Sequence, residues 1–107
     1  MRDDSFKDFV LDQLSGLPGL RAKAMFGGHG LYAGDKFFAI LMSGRIYFKT
    51  DQHTRPLYEQ RGMSPFIYEK ARRTMTIRYY EVPSEILEDR RELLEWAEQA
   101  IRASGGM

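Results

Sequence analysis

Two dipeptides constrain this chain more than any other feature. Gly34-Asp35 and Ser43-Gly44 are both two-residue hairpin signals, and each is flanked by runs rich in aromatic and aliphatic residues. A turn that short joins only antiparallel neighbours, so Gly30 to Ala33, Lys36 to Met42 and Arg45 to Thr50 are expected to form a meander. A parallel sheet is excluded for this stretch, because each parallel crossover needs about a dozen residues or more.

Further strands flank the meander. Leu20 to Phe26 alternates Arg21 and Lys23 with Ala22 and Ala24, and Gly27-Gly28-His29-Gly30 then interrupts it. Pro65 to Tyr68 and Met75 to Val82 read as two more strands, with Glu69 to Thr74 between them as a basic loop or bulge. Helical spacing opens the chain: Phe6, Phe9, Val10 and Leu14 follow the N-cap types Asp3, Asp4 and Ser5. Ser15-Gly16-Leu17-Pro18-Gly19 stops that helix. Asp51 to Gly62 reads as a short helix capped by Thr54, with Pro56 in its first turn. Pro83 to Glu88 reads as a helical turn. Asp89 and Glu92 then start a C-terminal helix with Leu93, Leu94, Ala97, Ala100 and Ile101 in its stripe and Trp96 beside it. The expected architecture is α+β: an antiparallel sheet of about five to six strands with helices packed on it, in the order α-β-β-β-β-α-β-β-α. It forms one domain over residues 1–107, with a flexible tail from about 103 to 107. Phe6, Phe9, Phe48, Ile77, Leu93 and Trp96 are the expected core.

Composition narrows the function classes. With 43% hydrophobic and 29% charged residues, the chain is an ordinary globular domain. It has no cysteine, which excludes a disulfide scaffold, a thiolate zinc site and a cysteine nucleophile. Two histidines, His29 and His53, are too few for a His-rich metal site, and no metal or other cofactor is expected. The longest apolar run, Phe37 to Met42, is far too short to cross a membrane, and the N-terminus lacks a signal-peptide pattern. A cytoplasmic protein is expected.

Catalytic patterns fail residue by residue. Ser5, Ser15, Ser43, Ser64 and Ser84 fall at caps or turns, where local backbone bonding explains them. Asp3/Asp4 and Glu88/Asp89 fall at helix starts, where capping explains them. Gly27 to Gly30 precedes a strand rather than a helix, so it is not a phosphate loop. A turn, bulge or crowded strand crossing fits it better, and a small-ligand pocket near Gly28, His29 and Tyr32 is the weaker alternative.

Charge and aromatics carry more information. Residues 45–78 hold eight basic and three acidic groups, net +5, whereas residues 79–107 hold three basic and seven acidic, net −4. Lys49, Lys70, Arg72, Arg73 and Arg78 concentrate the positive charge and are the candidate partner or phosphate contacts. The pairs Phe37/Phe38, Ile40/Leu41, Tyr47/Phe48 and Tyr79/Tyr80 each place bulk on both faces of a strand. A sheet with one wet face should alternate. Either helices cover both faces, or another chain covers part of one; a homodimer through an apolar face is the expectation.

The order of residues also resembles the N-terminal domain of TfoX/Sxy proteins. The resemblance runs from Met25-Phe26-Gly27-Gly28-His29-Gly30-Leu31-Tyr32 through Phe37-Phe38-Ala39 and Arg45-Ile46-Tyr47-Phe48-Lys49-Thr50. It continues with Tyr58, Gly62 and Pro65-Phe66-Ile67-Tyr68, and closes on Met75 to Pro83 and Leu94-Glu95-Trp96-Ala97. It implies a compact α+β domain, dimeric, regulatory and non-enzymatic. Proteins of this family are positive regulators of competence genes that act with the cyclic-AMP receptor protein, so a transcription regulator is the implied partner. Longer members carry a second, helical domain, and activities that need it are not expected here. Direct DNA binding by the basic middle segment and a ligand-sensor role are the alternative readings.

Overall fold

The computed structural model describes residues 5–25, 27–70 and 73–104; side chains at 68–70 and 73–77 are outside what it describes. The elements are α1 (Ser5–Gln13), β1 (Leu20–Met25), β2 (Gly28–Ala33), β3 (Lys36–Met42), β4 (Arg45–Lys49), α2 (Arg55–Glu59), β5 (Pro65–Lys70), β6 (Arg73–Glu81), α3 (Ser84–Leu87) and α4 (Arg90–Ser104). The six strands form one antiparallel sheet in the order β1-β2-β3-β4-β6-β5. The α+β expectation and its element order hold, with the helical turn after Pro83 realised as α3.

Both hairpin signals do what their residues allow. Ser43 and Gly44 have φ of 55° and 73°, so both central residues of the β3–β4 turn are left-handed, as a type I′ turn requires. Gly34 supplies the positive φ for the β2–β3 turn.

Four boundaries differ from the sequence reading. Gly28 and His29 do not interrupt the sheet; they pair with Met25 and Ala24 as the first residues of β2. Glu69 and Lys70 belong to β5 and Arg73 and Thr74 to β6, pairing Glu69 with Thr74 and Lys70 with Arg73, so the strands run further than expected; 71–72 lie outside the described residues. The helix expected over Asp51 to Gly62 contracts to α2. The Asp51 carboxylate accepts the His53 and Thr54 backbone N–H groups at 2.9 and 3.0 Å, and Thr54 Oγ1 accepts the Asp51 N–H at 3.0 Å. That side-chain turn competes with helix for the same backbone, and Thr54 makes no cap bond. At the far end, α4 takes in Ala103 and Ser104 from the expected tail, while 105–107 lie outside the described residues. The Asp89 carboxylate accepts the Glu92 N–H at 3.1 Å, so the start of α4 is capped as its sequence implies.

A bulge decides how β3 presents its bulk. Leu31 pairs with Ala39 and Tyr32 with Phe37, so Phe38 is an extra residue opposite none. Phe38 and Ala39 therefore both join the main core, and Phe37 and Ile40 both turn the other way. The main core packs Val10, Leu14, Leu17, Tyr58, Ile86, Leu93, Trp96, Ala97 and Ala100 onto Leu31, Phe38, Ala39, Leu41, Ile46, Phe48 and Val82. Trp96 meets the Tyr58 ring edge-on at 4.8 Å, and the Arg61 guanidinium lies over its indole at 5.5 Å. Gln13 Nε2 donates to the Leu87 carbonyl at 3.0 Å and ties α1 to α3.

Of the expected core, Phe48, Leu93 and Trp96 are buried and Phe6 packs against the cluster. The side chain of Ile77 lies outside the described ones. Phe9 does not belong: it is 41% exposed. The buried stripe of α1 runs through Phe6 and Val10 towards Leu14 just past its end, and Phe9 sits one residue, about 100°, off that line.

Candidate functional site

All the helical residues of the described core belong to one side of the sheet. The other side holds a second cluster, Ile40, Phe66 and Tyr79 with Phe37, Met42 and Tyr47 packed against it, and every member comes from a strand. Each of the four aromatic or aliphatic pairs singled out in the sequence is split between the two sides as alternation requires.

The strand-only face is built from cross-strand neighbours. Ile40 stands opposite Gly30 and Tyr47, Tyr32 opposite Phe37, and Lys49 opposite Tyr79. Tyr32 and Phe37 stack at 5.2 Å, Phe37 and Tyr79 tilt together at 5.5 Å, and Tyr47 meets Phe66 edge-on at 5.0 Å. Ile40 is only 1% exposed although no described helix belongs to its cluster, because Phe37, Met42, Tyr47, Phe66 and Tyr79 pack together with it. Phe37, Met42, Tyr47 and Tyr32 remain half-buried, with surface left to solvent.

The glycines explain how the rings lie so low. A Cβ on Gly30 would come within 2.6 Å of Met25 Sδ and 2.7 Å of the Phe37 ring. The missing side chain is the space those two occupy. A Cβ on Gly28 would fall on the Leu41 carbonyl oxygen, so β2 approaches β3 more closely there than any other residue permits.

Charge surrounds the rings. The Arg21 guanidinium sits 4.7 Å over the Tyr32 ring and the Lys49 ammonium 5.4 Å over the Tyr79 ring. Lys23 shares the Arg21 side of β1. Arg45 pairs with Glu81 at 3.2 Å beside Tyr47. Among the described side chains, the face thus carries four cations and one carboxylate. Burial pushes the Tyr79 hydroxyl up to about 12, with Tyr32 adding to it, and that hydroxyl donates to the Phe37 carbonyl at 3.2 Å. Burial raises Tyr47 as well; Glu81 adds to the rise and Arg45 opposes it.

Of the candidate contacts, Lys49 and Arg78 have described side chains, and these lie on opposite sides of the sheet. Lys49 lies on the strand-only face. Arg78 is exposed and, one residue before Tyr79, points to the other side of the sheet. Lys70 and Arg73 pair through their backbones towards the tip of the β5–β6 hairpin; their side chains and all of Arg72 lie outside the described residues. Gly28, His29 and Tyr32 do not line one pocket, because His29 alternates onto the opposite side from the other two. Arg21, Lys23, Met25, Met42 and Phe66 join the face without having been singled out. Alternation carried through the hairpins from Tyr32 would have found the first three; Met42 lies past the bulge at Phe38, which reverses the parity of β3, so alternation alone would have put it on the other side. Among the described residues, no three metal-ligating side chains gather, and no helix is long and apolar enough to cross a membrane.

The model of one family, described as the TfoX N-terminal domain, matches residues 12–104, nearly the whole chain. No curated protein matches it.

Proposed function

We propose, from the premise that this chain belongs to the TfoX N-terminal domain family, that it is a regulatory domain acting in transcription by protein contact through its strand-only face. The family is not known as an enzyme family, which is consistent with regulation rather than turnover. One observation carries the choice of surface: the helical residues of the core all pack on one side, and half-buried aromatics remain on the other. Half-buried rings with polar surroundings are the usual material of protein contact sites. The contact is with a second copy or with a transcription regulator, the cyclic-AMP receptor protein being the one the family resemblance points to.

The test is fluorescence anisotropy of labelled promoter DNA titrated with this protein, with and without that receptor. The chain should join the receptor–DNA complex and leave bare DNA alone. Tyr47→Ser should weaken joining while circular dichroism shows the fold intact. Silence in both conditions overturns the transcriptional reading. Binding to bare DNA that weakens steeply with salt replaces it with direct binding by the basic middle segment.

A further inference from the structure

We propose that the partner of the strand-only face is a protein segment that places carboxylates around apolar side chains, and not nucleic acid or the same face of a second copy. This rests on the reading that the face is a contact surface, and adds the chemistry of what it contacts.

Three observations converge on that occupant. First, the rim is electropositive: Arg21, Lys23, Arg45 and Lys49 stand against Glu81, which Arg45 already engages. An acidic partner gains from this rim, whereas isologous pairing would set Arg21, Lys23 and Lys49 of two copies near one another. Second, the cations are seated over the rings. Binding to single strands by stacking needs free ring faces. Here Arg21 covers Tyr32, Lys49 approaches Tyr79, and Phe37 is already stacked on Tyr32. Cations held on rings have lost part of their side-chain freedom before binding, which lowers the ordering cost when they meet carboxylates. Third, between the cations lies an apolar floor of Phe37, Met42 and Tyr47 over Ile40. A phosphate backbone makes no use of that floor, but aliphatic side chains do.

The polarity extends through the molecule. From Ser84 to Ser104, α3, α4 and their junction carry six acids against three arginines on the opposite side of the sheet. An acidic partner approaching from the helix side meets repulsion, so the charge distribution also orients the encounter.

The experiment is amide NMR of the full chain titrated with three probes. One is a short amphipathic peptide with leucines along one side and glutamates flanking them. The second has glutamine in place of each glutamate. The third is an oligothymidine strand. The acidic peptide should shift amides of β2, β3 and β4, and bind about tenfold more tightly than its glutamine counterpart, as expected from a few exposed ion pairs. Arg21→Glu combined with Lys49→Glu should remove that tenfold preference without changing binding of the glutamine peptide. Lys23→Glu, at an exposed position, should reproduce part of the loss if the double variant misfolds. Equal binding of the two peptides overturns the charge recognition and leaves the contact surface standing. Tighter binding of oligothymidine at the same amides overturns it in favour of nucleic acid. A concentration-dependent dimer mapped to these amides overturns it in favour of a second copy. If no probe and no self-association shifts them, both the inference and the contact-surface reading fail.

Discussion

Gly28→Ala should destabilise the protein, although alanine is the better strand residue. Replacing glycine inside a strand ordinarily gains about 0.5–1 kcal/mol, because the unfolded chain loses freedom. At Gly28 the new Cβ lands on the Leu41 carbonyl oxygen, with Leu41 C at 3.2 Å and Met42 Cα at 3.3 Å. All three are backbone atoms of β3, an interior strand, so none can swing aside as a side chain would. Relief requires β2 to lift from β3 where His29 pairs with Leu41. Overpacking of this kind costs about 1–3 kcal/mol, and a strained ladder hydrogen bond about 1 more. The net is a loss of about 2 kcal/mol. Urea unfolding followed by circular dichroism should show a midpoint lowered by about 1 M with an unchanged m-value, and Tm should fall by about 10 °C. Two controls separate the causes. In Gly30→Ala the new methyl meets the Met25 thioether and the Phe37 ring, which can move, so the cost should be smaller and confined to the strand-only face. In Gly27→Ala nothing lies within 4 Å, and only the positive φ of 83° is penalised, by about 1 kcal/mol. A Gly28→Ala protein as stable as the parent would refute the close approach of β2 to β3, and with it the packing account of the glycine cluster.

Other perturbations follow, the first three from the same geometry and the last from the charge count along the sequence. Trp96→Ala should cost about 3–5 kcal/mol, since the indole is 8% exposed against Tyr58 and Arg61; thermal unfolding measures it, and near-parental stability would contradict the burial. Phe9→Ser should change stability by less than about 0.5 kcal/mol, whereas Phe48→Ala should cost about 3–5; equal effects in urea titrations would mean α1 is rotated from the orientation described. Tyr79 has a folded-state pKa raised from 10.0 to about 12, so the unfolded chain ionises first; its contribution is complete below pH 10 and disappears as pH rises through 12. Stability measured across that window should fall less steeply in Tyr79→Phe, with Tyr58, Tyr47 and Tyr80, also raised by burial, adding to the slope that remains. Arg72→Glu with Arg73→Glu should weaken partner or DNA binding while leaving the fold intact, and unchanged affinity in the anisotropy assay would remove those two residues from the candidate contacts.

Strand existence was legible because hairpin turns need positive φ, and Ser43-Gly44 and Gly34-Asp35 advertise it locally. Boundaries were less so where a side chain competed with the expected backbone pattern, as Asp51 does ahead of α2. The bulge at Phe38 had no local signature at all. It arises from fitting β3 between neighbours, and it alone puts Phe38 and Ala39 on one side. Gly27 to Gly30 reads as a turn, bulge or crowded strand crossing without saying which glycine does what; the structure gives Gly27 the positive φ and makes Gly28 and Gly30 the places where neighbours come too close for a side chain.

The surface was half legible for a related reason. Doubled aromatics such as Phe37/Phe38 and Tyr47/Phe48 announce bulk on both sides of a sheet, but not which side the helices will choose. A running charge count along the chain assigns the positive region to 45–78, and so groups Lys49 with Arg78. Folding sorts charge by strand parity instead. Arg21 and Lys23 come from a stretch with no net charge, yet they alternate onto the same side as Lys49, while Arg78 in the basic middle alternates away. The chain is therefore polarised across the sheet more usefully than along the sequence: cations seated on rings on one side, acidic helices on the other. A partner reads the first arrangement, because it meets a face and not a segment.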